Sequence, residues 1–286
     1  MKFGSDTCGL SVQNKALKAF NYLLLLLGLL VVIIPIYILF NISFKTEQEY
    51  VRSSIFAFPE NILNMQNYIF AFQKSNMPLA FKNVLILCSV SISISIILGL
   101  MTSYSLDRFN FRLKKFIMGA FLISAMIPSI TTQVATFSII KSLHLLYTIF
   151  AGIIIYICVD IIQIYVFLQF IEKIPKELDE SAMIDGASYF RIFVKIIIPQ
   201  MKPAIVTIII LKVLYIYNDY LTPYLYMSKS SLRTVATALD IFSNDQTARW
   251  NVMGAAIIMV LIPTLAIYLL LQRYIISGVT DGAVKE

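Results

Sequence analysis

Residues 20–44 read FNYLLLLLGLLVVIIPIYILFNISF, twenty-five positions without a formal charge. A bilayer core of about 30 Å needs about 20 apolar residues of helix, so this run is long enough to span it. It exceeds a secretory apolar core of about 7–15 residues, and no small-residue cleavage site follows, so it is expected to be retained as a span at 20–40. Five more apolar runs follow, near 83–106, 116–140, 147–171, 203–227 and 251–272. Four of the six carry no formal charge; the fourth carries Asp160 and the fifth Lys212 and Asp219. Such runs are too long and too evenly apolar for barrel strands, which leaves an all-α polytopic bundle of six transmembrane helices as the expected fold. Pro35, Pro128, Pro223 and Pro263 lie in or near spans and are expected kinks.

The composition agrees. Hydrophobic residues make up 59% of the 286 and charged residues only 14%, with a mean hydropathy of +0.81. Soluble domains carry about a quarter charged residues. The net charge of +7 sits between the apolar runs, so it reads as topology and not as a nucleic-acid surface. With the N-terminus inside, 14 of the 23 Lys and Arg fall in inside segments and 8 in outside segments, with Lys212 inside a span. That bias predicts both termini in the cytoplasm. The expected layout is a cytoplasmic tail 1–19, the first span 20–40, an extracytoplasmic loop 41–82, a five-helix core 83–272 containing a cytoplasmic loop 172–202, and a cytoplasmic tail 273–286. Cys8, Cys88 and Cys158 lack metal-ligand spacing and read as small apolar fillers.

The loop 172–202 is too long for a simple connector. Residues 175–203 read PKELDESAMIDGASYFRIFVKIIIPQMKP. A short helix with Glu177, Asp179 and Glu180 at its start suits the helix dipole. Gly186 permits a turn with positive φ. A second helix, about 188–198, sets Phe190, Phe193, Val194 and Ile197 at amphipathic spacing, and Pro199 is expected to stop it.

The same stretch resembles the EAA loop of ABC importer permeases, whose pattern is E-A-A, three residues, G, nine residues, I, one residue, L-P. Here Glu180-Ser181-Ala182, Gly186, Ile196 and Ile198-Pro199 fall at every required spacing, with Ser181 for Ala and Ile198 for Leu. Other stretches resemble the carbohydrate branch of these permeases, in particular the smaller maltose-type subunit. They are Ala80-Phe81-Lys82-Asn83, Tyr104-Ser105-Leu106-Asp107-Arg108, Asn218-Asp219-Tyr220 with Pro223, and the tail from Gln272-Arg273-Tyr274 through Gly278 to Gly282-Ala283-Val284-Lys285.

The resemblance implies a type I ABC importer permease fold in a bacterial cytoplasmic membrane, and a transport subunit of a binding-protein-dependent sugar importer. Glu180, Ser181, Ala182, Asp185, Gly186 and Ala187 would dock on an ATPase. The implied partners are a second permease, two ABC ATPase subunits that bind ATP and Mg, and an extracytoplasmic sugar-binding protein. The chain has no G-x-x-x-x-G-K-[ST] of its own, so no cofactor is expected on it.

Charged groups inside spans cost about 2.5–3.5 kcal/mol each and usually face the bundle interior. Lys212, Tyr215 and Asp219 have helical spacing that places them on one face, and Asp160 and Gln163 share another. With Asn218 they are candidates for a substrate path or gate; the bland reading is interhelical bonding, with Lys212 paired to Asp160 or Asp219. An unpaired Lys212 would suit an acidic oligosaccharide. The loop does not exclude a permease for a non-sugar solute, but the long first outside loop and the Gln272–Lys285 tail argue for sugars. An intramembrane enzyme does not fit, since H-E-x-x-H is absent and the lone His144 lies in a loop.

Overall fold

The structure is a computed structural model describing residues 7–243 and 249–283, with side chains described there except at 7–16, 129 and 270–283. Residues Val284 and Lys285 of the tail lie outside them. The described residues form helices and loops without strands. In chain order the helices are α1 (Thr7–Phe44), α2 (Glu47–Arg52), α3 (Gln66–Lys74), α4 (Met77–Arg108), α5 (Lys114–Met126), α6 (Ser129–Ser142), α7 (Ile149–Ile157) and α8 (Ile161–Ile171). They continue as α9 (Glu177–Ile184), α10 (Tyr189–Ile192), α11 (Ile198–Gln200), α12 (Lys202–Asn218), α13 (Leu221–Tyr226), α14 (Val235–Ala238) and α15 (Trp250–Ala283).

Three helices are long and apolar enough to cross a membrane alone, at Leu17–Phe44, Met77–Arg108 and Trp250–Leu269. Three more candidates are bent pairs, α5 with α6, α7 with α8 (45°), and Tyr189–Gln200 with α12 (73°), giving up to six spans. The run 203–227 is helical only to Asn218, then breaks, and resumes as α13. The bends follow the prolines only in part. Pro128 stands at the break before α6, whereas Pro35 and Pro263 lie inside uninterrupted helices and Pro223 lies in the first turn of α13.

The chain divides into two compact units. One holds residues 1–71 and 242–259. From Leu17 to Ile36 every residue of α1 is exposed, an apolar surface with no partner inside this unit. At the C-terminal end of α1 the packing becomes tight and polar. The Asn67 amide donates to the carbonyls of Ser43 and Lys45 (both 2.8 Å), and Asn251 donates to the Lys45 carbonyl (3.1 Å). These bonds satisfy carbonyls that a helix end leaves without intrahelical donors.

The second unit holds residues 72–241 and 260–286. Its centre is α4, against which α7, α8 and α12 pack. The reason is written in α4 as Ser91, Ser95, Gly99 and Ser103, small residues every fourth position and all on the packed side. Small side chains let membrane helices approach closely, and their hydroxyls bond across the gap. The Ser91 hydroxyl donates to the Ile153 carbonyl (3.4 Å) and the Ser95 hydroxyl to Gln163 Oε1 (3.1 Å). The Gln163 amide returns a bond to the Ser95 carbonyl (2.8 Å) and lies over Gly99, where any side chain would collide with it. Leu87, Leu100, Phe167, Ile171, Ile208 and Ile216 fill the apolar core around this seam.

Two expectations for the loop need correction. Pro199 does not stop the second amphipathic helix, which runs on to Gln200. Residues Phe193–Ile197 form a π-turn, in which the Ile198 N–H reaches back five residues to the Phe193 carbonyl. The wider turn takes up one residue just before a proline that has no N–H to donate. It also rotates the face: Ile192, Phe193 and Ile197 are buried, while Phe190 and Val194 are exposed.

Candidate functional site

Two constellations stand out, both within the second unit. The first is the short helix α9 and its turn. Asp185 caps the helix, and Gly186 takes φ +81°. The Gly186 N–H bonds the Met183 carbonyl (3.0 Å) and the Ala187 N–H bonds the Ala182 carbonyl (2.9 Å). That pair of reversed bonds is a Schellman turn, which closes a helix through one left-handed residue. Nothing lies within 4 Å of where a Gly186 side chain would begin, so glycine is required there by backbone angle alone. Ser188 then starts the next helix, its hydroxyl accepting from the Arg191 N–H (3.4 Å).

The six residues assigned to this loop separate into two groups. Ala182 and Ala187 turn inward and pack against the chain's own core. Glu180, Ser181, Asp185 and Gly186 are exposed, along with Leu178, Met183 and Ile184, the last 88% exposed. The helix thus presents an apolar and acidic outer face while its small residues allow close seating within the chain.

What holds α9 is a residue that the sequence reading named only as the end of the Tyr104–Arg108 stretch. Arg108, the last residue of α4, donates from Nε to Asp179 (2.8 Å), from Nη1 to Asp107 (2.8 Å) and from Nη2 to the Ile174 carbonyl (2.9 Å). The Arg108 and Asp179 side chains are 6% and 8% exposed. One guanidinium fork therefore ties the end of a long span to the start of α9 in a dry setting, where such bonds are strong and directional. A signal was present: Asp107-Arg108 closes the Tyr104–Arg108 stretch, and Asp179 sits in the first turn of α9.

The second constellation is a cleft of about 520 Å³ beside the break between α7 and α8. Asp160, Gln163, Lys212 and Tyr215 line it together with Tyr156 and Cys158. The break is built by Asp160, whose carboxylate accepts the Gln163 N–H (2.8 Å) and so starts α8. The chain turns there, and the freed Cys158 carbonyl accepts a bond from Lys212 Nζ (3.1 Å), which also stands 3.6 Å from Asp160. Lys212 is therefore paired, and the unpaired cation expected as one option is not found. Gln163 points away into the Ser95 seam and is fully buried.

Asp219 does not continue the face of Lys212 and Tyr215, because α12 ends at Asn218. Beyond that end its carboxylate accepts from the Tyr156 hydroxyl (3.0 Å) and the Thr222 N–H (3.1 Å). The Asn218 amide donates to the Leu214 carbonyl of its own helix (2.8 Å). Tyr156 was missed from the sequence; it is buried, bonds Asp219, and meets the Tyr215 ring edge to face at 6.2 Å. Among the described residues no group of His, Cys, Asp or Glu could hold a metal.

Residues 91–281 match the family described as binding-protein-dependent transport system inner membrane component. The chain is 31% identical to the probable starch degradation products transport system permease protein AmyC of Thermoanaerobacterium thermosulfurigenes, over 93% of this chain and 97% of that one. It is 30% identical to the melibiose/raffinose/stachyose import permease protein MelC of Bacillus subtilis, over 88% and 91%. Its fold superposes with a TM-score of 0.82 on a chain of a bacterial ABC transporter involved in import of the acidic polysaccharide alginate, covering 96% and 99% at 20% identity. An all-helical chain with several apolar spans, matched to this family over two thirds of its length, has one reading: it belongs to the inner membrane components of binding-protein-dependent transport systems, multi-pass transport proteins of the cytoplasmic membrane.

Proposed function

We propose that this chain is one of two membrane-spanning subunits of an ATP-driven importer of oligosaccharides, and that α9 with its Gly186 turn docks on a separate ATPase subunit. The observation that carries the reading is the Arg108 fork. A helix whose outer face is exposed and apolar, and whose root is pinned to the end of a span, can turn a push from outside into movement of that span. A two-state element biased by a nucleotide needs such a rigid link. ATP and Mg belong to two ATPase subunits, and a second permease and an extracytoplasmic binding protein complete the complex.

In this reading both termini and the loop 172–202 face the cytoplasm, as the excess of Lys and Arg there supports. The layout is then a tail 1–19, a first span 20–40, an outer loop 41–82, a core 83–272 and a tail 273–286. The names of the two curated relatives support oligosaccharides as the substrate class. Tyr156, Tyr215 and the Asp160–Lys212 pair offer stacking and hydrogen bonding to a hydroxyl-rich solute. The pair is formally neutral, which favours a neutral sugar; an acidic one would require Lys212 to exchange Asp160 for the substrate.

The test is ATP hydrolysis by the purified complex in liposomes, with binding protein and a panel of neutral and acidic oligosaccharides, for wild type and for Glu180→Ala/Gly186→Pro. Stimulation by one sugar class, lost in the loop variant, is the expected result. Stimulation by amino acids or ions and by no sugar would overturn the substrate class and leave the fold intact.

A further inference from the structure

The segment after α2 folds back along α1, and its depth can be placed. The Tyr37 hydroxyl donates to the Phe56 carbonyl (3.1 Å), and the Tyr37 ring meets the Phe58 ring edge to face at 6.0 Å. Tyr37 lies seven residues before the end of α1 at Phe44, about 10 Å at 1.5 Å per residue. A core of about 30 Å takes about 20 of the 25 uncharged residues from Phe20 to Phe44. However that window is set within the run, residue 37 falls inside it, about 3–10 Å below its near face. Residues packed on Tyr37 are at the same level.

Those residues have the chemistry for it. Residues 53–59 read SSIFAFP and carry no charge. Phe56 is 55% and Phe58 71% exposed within this unit. Irregular backbone is costly near hydrocarbon unless its polar groups are bonded internally, and here many are. The Ser53 N–H bonds the Glu49 carbonyl (2.9 Å), the Phe56 N–H bonds Ser54 Oγ (3.3 Å), and the Ala57 N–H bonds the Ser54 carbonyl (3.0 Å). Tyr37 takes the Phe56 carbonyl, Lys45 takes the Ser54 carbonyl (2.7 Å), and Pro59 has no N–H. The burial of Lys45, 0% exposed and donating also to Ser53 Oγ (2.8 Å), follows from the same arrangement. It is the first charge after the apolar run, and its side chain pins the segment down.

We propose that residues 54–58 are a lipid-facing wedge, with the Phe56 and Phe58 rings inserted at the headgroup–acyl boundary of the leaflet where α1 ends. Interfacial segments bury Trp, Phe and Leu side chains about 5–10 Å into that boundary. The wedge braces the end of α1 against the bilayer, and this does not depend on the transported solute.

The test uses the assembled complex in proteoliposomes, stripped of other cysteines, with a nitroxide on Phe58→Cys and, separately, on Phe56→Cys. Both side chains are more than half exposed, and the Tyr37 bond to the Phe56 backbone carbonyl, with the Lys45 clasp, is kept by either label. Collision with oxygen, which partitions into lipid, is compared with collision by a water-soluble nickel chelate. Oxygen exceeding the chelate several-fold at both sites is the expected result. A chelate rate above the oxygen rate would put the segment in water. Low rates for both would mean that a protein partner covers it. Either result overturns the proposal.

Discussion

Two cations close two long helices, and they do so in opposite ways. Lys45 follows α1 and is fully buried, yet its ammonium meets only a hydroxyl and a carbonyl. Arg108 ends α4, and its guanidinium meets two carboxylates and a carbonyl. Lys45 bonds a segment nine residues away, whereas Arg108 bonds one 71 residues away. The first is a local clasp between a helix and the loop that leaves it. The second joins a span to a separate element by charge. Removing Lys45 leaves neutral acceptors behind; removing Arg108 leaves buried anions.

That difference sets the size of the first two effects. Arg108→Ala leaves Asp179 charged and dry, a defect worth about 3–5 kcal/mol. The expected outcome is a large drop in thermal midpoint in detergent and loss of sugar-stimulated ATP hydrolysis. Arg108→Met with Asp107→Asn and Asp179→Leu removes all three charges and should recover most of the stability, because the desolvation cost goes with them. Stability recovered without coupling would identify the fork as the link; coupling recovered with it would reduce the fork to a scaffold. Lys45→Met removes one of the two donors at the Ser54 carbonyl, which keeps the Ala57 N–H, and the ammonium donor at Ser53 Oγ, costing about 1–3 kcal/mol for the lost charge-assisted bonds. A midpoint shift as large as that of Arg108→Ala would break the comparison, since no stranded charge would account for it.

The two cations also mark where the sequence is legible. Both residues lie at the ends of apolar runs, and the runs alone gave the all-α membrane fold, because hydropathy over twenty residues is a local property. Gly186 was legible for the same reason: a reversing turn after a short helix needs positive φ, and that requirement sits in one residue. The partner of Arg108 was not legible, because a pairing across 71 positions depends on how α4 and α9 are brought together. The break at Asp160 was hidden too, having neither glycine nor proline to mark it. Asp160 caps α8, and Lys212 on another helix takes the Cys158 carbonyl that the break exposes, a pairing across 54 positions. The π-turn before Pro199 changed which residues of the helix Tyr189–Gln200 face inward, and a fixed period of 3.6 could not register it.

Gly186→Ala is expected to cost about 1 kcal/mol, from the left-handed backbone alone, since no neighbour crowds the new methyl. Asn tolerates that conformation better than Ala, so Gly186→Asn should lie between them in thermal midpoint. The order wild type, Asn, Ala in sugar-stimulated ATP hydrolysis would show that the turn, and not only the Arg108 fork, sets the stiffness of α9. Equal hydrolysis in all three would assign that stiffness to the fork alone.

The smallest effect on stability belongs to the cleft. Asp160 and Lys212 are 3.6 Å apart, and the Asp160 side chain is 54% exposed, so the pair is worth no more than about 1 kcal/mol. Asp160 also caps α8, which separates two substitutions. Asp160→Ala loses the cap and the charge, whereas Asp160→Asn keeps an oxygen for the Gln163 N–H and should lower the midpoint less. Its effect on selectivity should be the larger one. With Asp160 neutral, Lys212 keeps its bond to the Cys158 carbonyl but loses its counter-charge beside the cleft. Uptake of acidic relative to neutral oligosaccharides should then rise in Asp160→Asn and fall in Lys212→Met. Opposite shifts would place the pair on the substrate path. If neither ratio moves, the pair joins the Lys45 clasp as a device for holding a break in the chain.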